Sequence, residues 1–480
     1  MVGLITQRFP LFIVSYFMLQ VLIRLATTNI AVLDESEQIM LTQYFSLGYN
    51  EQPPLYTWLQ MGVFKLTGTS IFGLSLLKNA LLCLTYLMTY QLGMLFMNDK
   101  LKASLGALSL FLFPQMVWDA QIDQTHTVFL TAATSMTVYL FFYIAKKEKI
   151  TGWHFVLFGI SAGVGLLSKY NFILVLVALG SVALFIPEYR KRFYTKSLFI
   201  SMLIALCMVL PHFLWFISHL DVATNRTVER MNAGHTGSHL INFLKGSSDL
   251  IISTLVASLA PFFLFFFLFF KKNFAWSPSR ENKALIGYVA MIFAFLFVMV
   301  AISGTTHIKE RWLQPYVVLI PLFFFLHVKN IDTKVARLFI LISLVAPLIV
   351  ALVVIFRPWL IDVRGKPSRT NYPFDQLRVL LKEQFPTMKH SLMYAEDKYL
   401  GGNLKLFFPH ATVITPSLPN QPYTLGNEIF LFWESEKPIA FLDTLNHQGY
   451  ACTEYRHEVA FQKSKKLFYD LNTVQCTMNQ

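Results

Sequence analysis

Long apolar runs separated by short charged loops set the frame of this chain. The first follows Arg8 and runs from residue 9 to about residue 30. Others lie near 72–97, 103–118, 125–144, 153–167, 171–186, 197–217, 250–270, 284–303, 312–327 and 335–356. Most approach the roughly 20 residues that an α-helix needs to cross a bilayer, so the pattern predicts eleven transmembrane helices. The first run ends in no small-residue cleavage site and reads as a retained helix, not a removed signal peptide.

After residue 356 the period changes. A helical pattern over 372–384 leads into a short apolar strand at 392–395. A helix over 398–408, a strand at 412–415, another at 429–433, a helix over 440–446 and two closing strands follow. The expected architecture is an all-α polytopic membrane bundle over 1–356, followed by a small α/β domain over 357–480.

Composition agrees. Of 480 residues 55% are hydrophobic and 14% charged, whereas a soluble protein carries about a quarter charged residues. The net charge of +13 raises nucleic acid as a partner. The cations sit instead in short runs between apolar stretches, with no basic domain interleaved with stacking aromatics, which excludes it. Alternate loops differ in charge. One set carries 16 Lys and Arg, among them Lys146, Lys147, Arg190, Lys191 and Arg192; the opposite set, about twice as long, carries 7. The first set is therefore cytoplasmic, and the loops after the first span, with the C-terminal domain, face outward. Of four cysteines, Cys83 and Cys207 lie in spans. Cys452 and Cys476 fall in the outward domain, where they either form a disulfide or stay as two buried thiols.

Chemistry-bearing residues collect in the outward loops. Asp34, Glu35, Glu37 and Glu51 come from the first, Asp119 and Asp123 from the second. Lys169, Arg226, Arg230, His307, Lys309 and Arg311 follow in later ones. Arg24 and Lys78 are expected to reach the membrane surface by extending their side chains. A transporter keeps its ionisable groups near the bilayer midplane; here they stand at one surface. A carboxylate there can deprotonate an acceptor hydroxyl, and fixed cations can stabilise a departing phosphate. That chemistry is glycosyl transfer from a polyprenyl-phosphate sugar. His235 and His239 stand four apart, as zinc ligands do on a helix, but no third ligand accompanies them; the sequence calls for no cofactor and leaves a divalent metal open.

A resemblance then gives the pattern a family. Asp34-Glu35, followed by Gly48-Tyr49-Asn50-Glu51-Gln52-Pro53-Pro54-Leu55 and Trp58, resembles the first outer loop of the GT-C membrane glycosyltransferases of family 39 and their bacterial aminoarabinose- and galacturonic-acid-transferring relatives. Gln121-Ile122-Asp123 is similar to the family's second acidic motif, and Gly165-Leu166-Leu167-Ser168-Lys169-Tyr170 to its Gly-Leu stretch ending in Lys. Glu310-Arg311-Trp312-Leu313-Gln314-Pro315 resembles its late outer loop, and Gly401-Gly402-Asn403-Leu404-Lys405 its outward domain.

The resemblance implies an inverting enzyme with Asp34 as general base. It implies Glu35, Tyr49, Glu51, Gln52, Asp123, Lys169, Arg226, Arg230, His307, Lys309 and Arg311 as substrate-binding residues. Its partners are a polyprenyl-phosphate-linked sugar, a lipid A or lipopolysaccharide acceptor (or protein Ser/Thr) and the lipid of a bacterial inner membrane. Two positions depart from the aminoarabinose branch, where Arg and Lys stand in place of Glu37 and Gln52. Positive charge for the phosphate then falls to Lys169, Arg226, Arg230, Lys309 and Arg311. A lipid-linked-sugar flippase is the alternative from outside enzymology.

Overall fold

The computed structural model describes residues 2–478, apart from 233–234, 271–273, 277, 419–420 and 435–439. Among the described residues seven helices are long and apolar enough to cross a membrane. They are Phe9–Thr27, Ile71–Met97, His126–Lys146, Lys196–Ser218, His239–Phe270, Arg280–Ser303 and Thr333–Arg364. The chain is a multi-pass membrane protein. Two further pairs reach spanning length only as bent units. Lys100–Leu112 turns by 76° into Gln115–Ile122, and Tyr170–Phe185 by 114° into Pro187–Phe193. Both breaks carry proline, Pro114 and Pro187, which cannot donate the next helical hydrogen bond.

One other difference from the expected eleven has the same kind of cause. The run expected over 312–327 forms two short helices, Glu310–Val317 and Ile320–Leu326, with Pro315 inside the first and Pro321 at the start of the second. Gly152–Leu166 is an apolar helix of 15 residues, about 22 Å long, and so is short for a full crossing.

The chain divides into two compact units. The first comprises Met1–Leu19, Leu47–Tyr56 and Lys78–Val350. His126–Lys146 is its most enclosed spanning helix, with 72% of its apolar window buried, against 17% for Lys196–Ser218. That contrast separates a central helix from a peripheral one whose apolar side chains remain open to lipid.

The second unit comprises Gln20–Ser46, Thr57–Leu77 and Ala351–Gln480. Its sheet has five strands: β1 (Leu392–Ala395), β2 (Thr412–Ile414), β3 (Glu428–Trp433), β4 (Tyr450–Ala460) and β5 (Phe468–Met478), in the order β2-β1-β3-β5-β4. β1 pairs in parallel with β2 and β3, while β5 lies antiparallel between β3 and β4. The parallel pairs follow from the helix Lys398–Phe407, which carries the chain from β1 across to β2. Ile429, Leu431, Leu445, Val474 and Cys476 form part of the core on one face. Cys452 and Cys476 are directly opposed on β4 and β5 and form a disulfide, the first of the two states open to them. A separate apolar cluster joins Ala31 and Ile39 to Phe64, Ile71 and Leu74.

Candidate active site

Asp34 is the second residue of the helix Leu33–Leu41, which starts after extended Val32. The adjacent Glu35 is 1% exposed. Its Oε2 accepts from the Val32 amide at 3.2 Å and from the Arg24 guanidinium at 2.8 Å, so this acid closes the helix start. Arg24 also donates to the carbonyls of Thr28 and Ile30, 2.8 Å each. The expectation that Arg24 only reaches for the membrane surface is therefore corrected: it braces the turn that leads to Asp34. Glu37 is paired with Lys398 at 2.7 Å, and Asn403 bonds the backbone of Ala31.

In the first unit the segment Leu47–Tyr56 is held from several sides. His212 Nδ1 lies 2.8 Å from the Leu47 carbonyl. Gly48 lies flat against Trp215, where a Cβ would come within 2.0 Å of the ring. The Leu55 amide donates to the Leu167 carbonyl at 3.3 Å. Tyr49 and Glu51 are both buried. Glu51 Oε1 pairs with Arg230 at 3.3 Å. The buried Glu51 Oε2 and Gln52 Oε1 have no hydrogen-bond partner among the described residues. The same holds for both amide atoms of Gln124, which is 2% exposed. Buried polar atoms normally find partners, so the adjacent Glu51 and Gln52 mark a place where a polar ligand would satisfy them.

Charges gather in the same unit. Gln115–Asp119 is a π-helical turn, a feature frequent at functional sites, and it turns off the axis of the preceding helix at Pro114. Asp119 ends that turn, with Arg311, Glu310 and Asp123 as its charged neighbours. Lys309 is held below the usual lysine range, first by burial and then by the neighbouring cations Arg311 and Arg230. Glu51 next to Arg230, Lys309 next to Arg230 and Arg311, and Asp119 next to Arg311 and Asp123 thus form a chain of neighbouring charges. Three cations kept close against their mutual repulsion favour an anion among them.

The remaining expected residues are placed differently. Lys169 points its Nζ to Thr127 Oγ1 at 3.0 Å. His307 turns to Asp249 at 3.4 Å, whose other contact is the Ile308 amide. Arg226 lies in the helix Leu220–Met231, but its side chain is outside the described residues. His239 opens the helix His239–Phe265 while His235 precedes it, so the two do not share a helix face. Among the described residues no group of three or more His, Cys, Asp or Glu could hold a metal ion.

Several participants escaped the sequence reading. Lys78, expected at the membrane surface, is 2% exposed, with Nζ 3.4 Å from the Gln121 carbonyl. Its only sequence signal was its place in a long apolar helix. His212 and Trp215 are remote in sequence from the loop they hold and gave no local signal, and Asn403, although part of the outward-domain motif, carried no sign that it binds the segment of Ala31.

Comparison with known proteins gives the chain its family. Residues 51–215 match the family model described as dolichyl-phosphate-mannose-protein mannosyltransferase. Lipopolysaccharide core galacturonosyltransferase RgtB of Rhizobium johnstonii is 31% identical over 426 residues, covering 87% of this chain and 85% of that protein. The chain belongs to the family of the lipopolysaccharide core galacturonosyltransferases, within the GT-C membrane glycosyltransferases. RgtA of the same organism is 29% identical over 463 residues, covering 94% of this chain and 92% of its own length. In fold the glycosyltransferase is similar to the crystal structure of ArnT from Cupriavidus metallidurans bound to undecaprenyl phosphate. That match has a TM-score of 0.59 at 12% identity and covers 97% of each chain. The GT-C expectation drawn from the outer-loop motifs is thereby confirmed, and the flippase alternative gives way to an enzyme.

Proposed function

We propose that this glycosyltransferase moves a uronic sugar, galacturonic acid, from a polyprenyl-phosphate donor to a hydroxyl of lipopolysaccharide core or lipid A. The reaction takes place at the periplasmic face of a bacterial inner membrane. The observation that carries this reading is the likeness, over most of both chains, to RgtA and RgtB, both named as lipopolysaccharide core galacturonosyltransferases. The excess of Lys and Arg in the opposite loops supports the sidedness. Glu37 and Gln52, standing where the aminoarabinose branch has basic residues, set the chain apart from that branch.

In this mechanism Asp34 is the general base. It takes the acceptor hydroxyl proton as that oxygen forms its bond to the anomeric carbon. The bond from that carbon to the phosphate oxygen breaks on the opposite side, which inverts the centre. Polyprenyl phosphate leaves as an anion and needs no proton, so one carboxylate suffices. Arg230, Lys309 and Arg311 stabilise the phosphate as its charge grows, and Lys169 adds a fourth cation. Glu51, Gln52, Asp123 and Tyr49 bind donor hydroxyls, with the unsatisfied Glu51 and Gln52 oxygens as acceptors. Glu35 acts through the loop, holding Asp34 in place.

Mass spectrometry of lipopolysaccharide from a deletion strain and its parent tests this. Loss of a hexuronic acid from the core or lipid A fraction is the expected result. Unchanged lipopolysaccharide with loss of a hexose from a protein fraction would overturn it in favour of the protein mannosyltransferase reading that the family model's description carries.

A further inference from the structure

The segment that carries Asp34 is fastened to the C-terminal α/β domain at both of its ends and in its middle. Ahead of the helix, Asn403, fully buried, pairs with both backbone groups of Ala31. Its Oδ1 accepts from the Ala31 amide at 2.9 Å, and its Nδ2 donates to the Ala31 carbonyl at 3.0 Å. Beyond the helix the arrangement is repeated in reverse. Gln43 Nε2 donates to the Val413 carbonyl at 2.9 Å and its Oε1 accepts from the Val413 amide at 3.0 Å. Val413 lies on β2, the edge strand of the sheet, so the loop's amide uses the edge groups that no further strand takes. Between these two brackets Glu37 pairs with Lys398, both largely buried, at 2.7 Å.

Contact along the helix is equally close. A Cβ on Gly402 would stand 2.5 Å from the backbone of Ser36, so any larger residue there would push the two helices apart. Two double amide–backbone pairs and a buried ion pair hold the register of Leu33–Leu41 more tightly than chain connectivity requires. A segment needing only to be folded would not need its position fixed at three points by residues more than 350 positions away.

From this geometry we propose that the C-terminal domain is the positioning frame of the catalytic carboxylate, with Lys398 and Asn403 as positioning residues that act through the loop on Asp34. The proposal rests on the reading of Asp34 as the base. It also gives Glu37 a role that its departure from the aminoarabinose branch left open: it is the loop's anchor to the domain.

The test is a charge exchange in the purified full-length protein, assayed with a synthetic polyprenyl-phosphate uronic sugar and lipopolysaccharide acceptor. Glu37→Lys and Lys398→Glu are each expected to lower kcat by about ten- to a hundred-fold with little change in the donor KM, because the base moves while the phosphate contacts stay. The double variant restores the pair in reverse and is expected to recover most of kcat. Lys398→Gln, which removes the charge without reversing it, gives the same reading if a reversal variant does not fold. Single variants that keep wild-type kcat, or a folded double variant that stays as slow as either single one, would overturn the proposal. Asp34→Asn run alongside separates the two claims. Full turnover in that variant sinks the base assignment itself, whereas an inactive Asp34→Asn beside fully active Lys398 variants sinks only the positioning role.

Discussion

Arg24 reaches eleven residues along the chain to place its guanidinium 2.8 Å from Glu35 Oε2, with the arginine 13% and the glutamate 1% exposed. Taking the cation from a buried pair costs more than the pair is worth, because the remaining charge stays desolvated. Arg24→Met is therefore expected to destabilise the protein by about 3 kcal/mol. Thermal unfolding in detergent reads this as a lowered midpoint. Adding Glu35→Gln, which keeps an acceptor for the Val32 amide and removes the stranded charge, is expected to recover most of the loss.

Gly48 and Trp215 make a steric prediction. With a Cβ placed 2.0 Å from the indole, Gly48→Ala forces the loop or the ring to move, at about 1–3 kcal/mol. Because this loop also carries Glu51 and Gln52, activity is expected to fall together with stability. Combining it with Trp215→Leu should restore both in part, as measured by thermal midpoint and turnover.

The pair of Glu51 and Arg230 separates folding from binding. Arg230 is 49% exposed but Glu51 only 5%, so removing the cation outright would strand a buried carboxylate. Arg230→Lys keeps a cation beside Glu51 and loses the planar guanidinium fork, so it is expected to leave the unfolding midpoint near wild type while raising the donor KM several-fold. A large loss of stability with unchanged kinetics would make Arg230 a structural residue.

Lys309 predicts a pH dependence. Burial, with Arg311 and Arg230 nearby, disfavours its charged form and lowers its pKa from the usual lysine value. A lysine so shifted loses its proton, and with it its hold on phosphate, at lower pH than an ordinary one. The donor kcat/KM should therefore fall on the alkaline side before the ordinary lysine range is reached. Lys309→Arg should move that fall to higher pH, since arginine stays charged. Steady-state profiles of both proteins check this.

How much of this was legible in the sequence depends on the range of the interaction. β1, at 392–395, was found to the residue, because a short apolar strand between turn signals needs only local pattern. The helix expected over 398–408 runs to Phe407, because its period of buried positions is also local. The outer run near 312–327 looked continuous by hydropathy, yet prolines at 315 and 321 divide it. Hydropathy counts proline as one residue among many, while the backbone feels a missing donor. Sequence pattern placed Arg24 and Lys78 at the membrane surface because a lone cation in an apolar helix has no visible partner. Their partners, Glu35 and the Gln121 carbonyl, are made by folding. The acidic and basic motifs of the outer loops were readable. The amide brackets of Asn403 and Gln43 were not, since each joins segments about 370 residues apart.

The central claim is that Asp34 removes the acceptor proton, and the most direct measurement is single-turnover sugar transfer by Asp34→Asn with a synthetic polyprenyl-phosphate uronic sugar. Asparagine preserves size and hydrogen bonding but cannot accept the proton. The account predicts a loss of at least about a hundred-fold in the rate of transfer, with donor binding and unfolding midpoint close to wild type. Transfer by Asp34→Asn at the wild-type rate would contradict it.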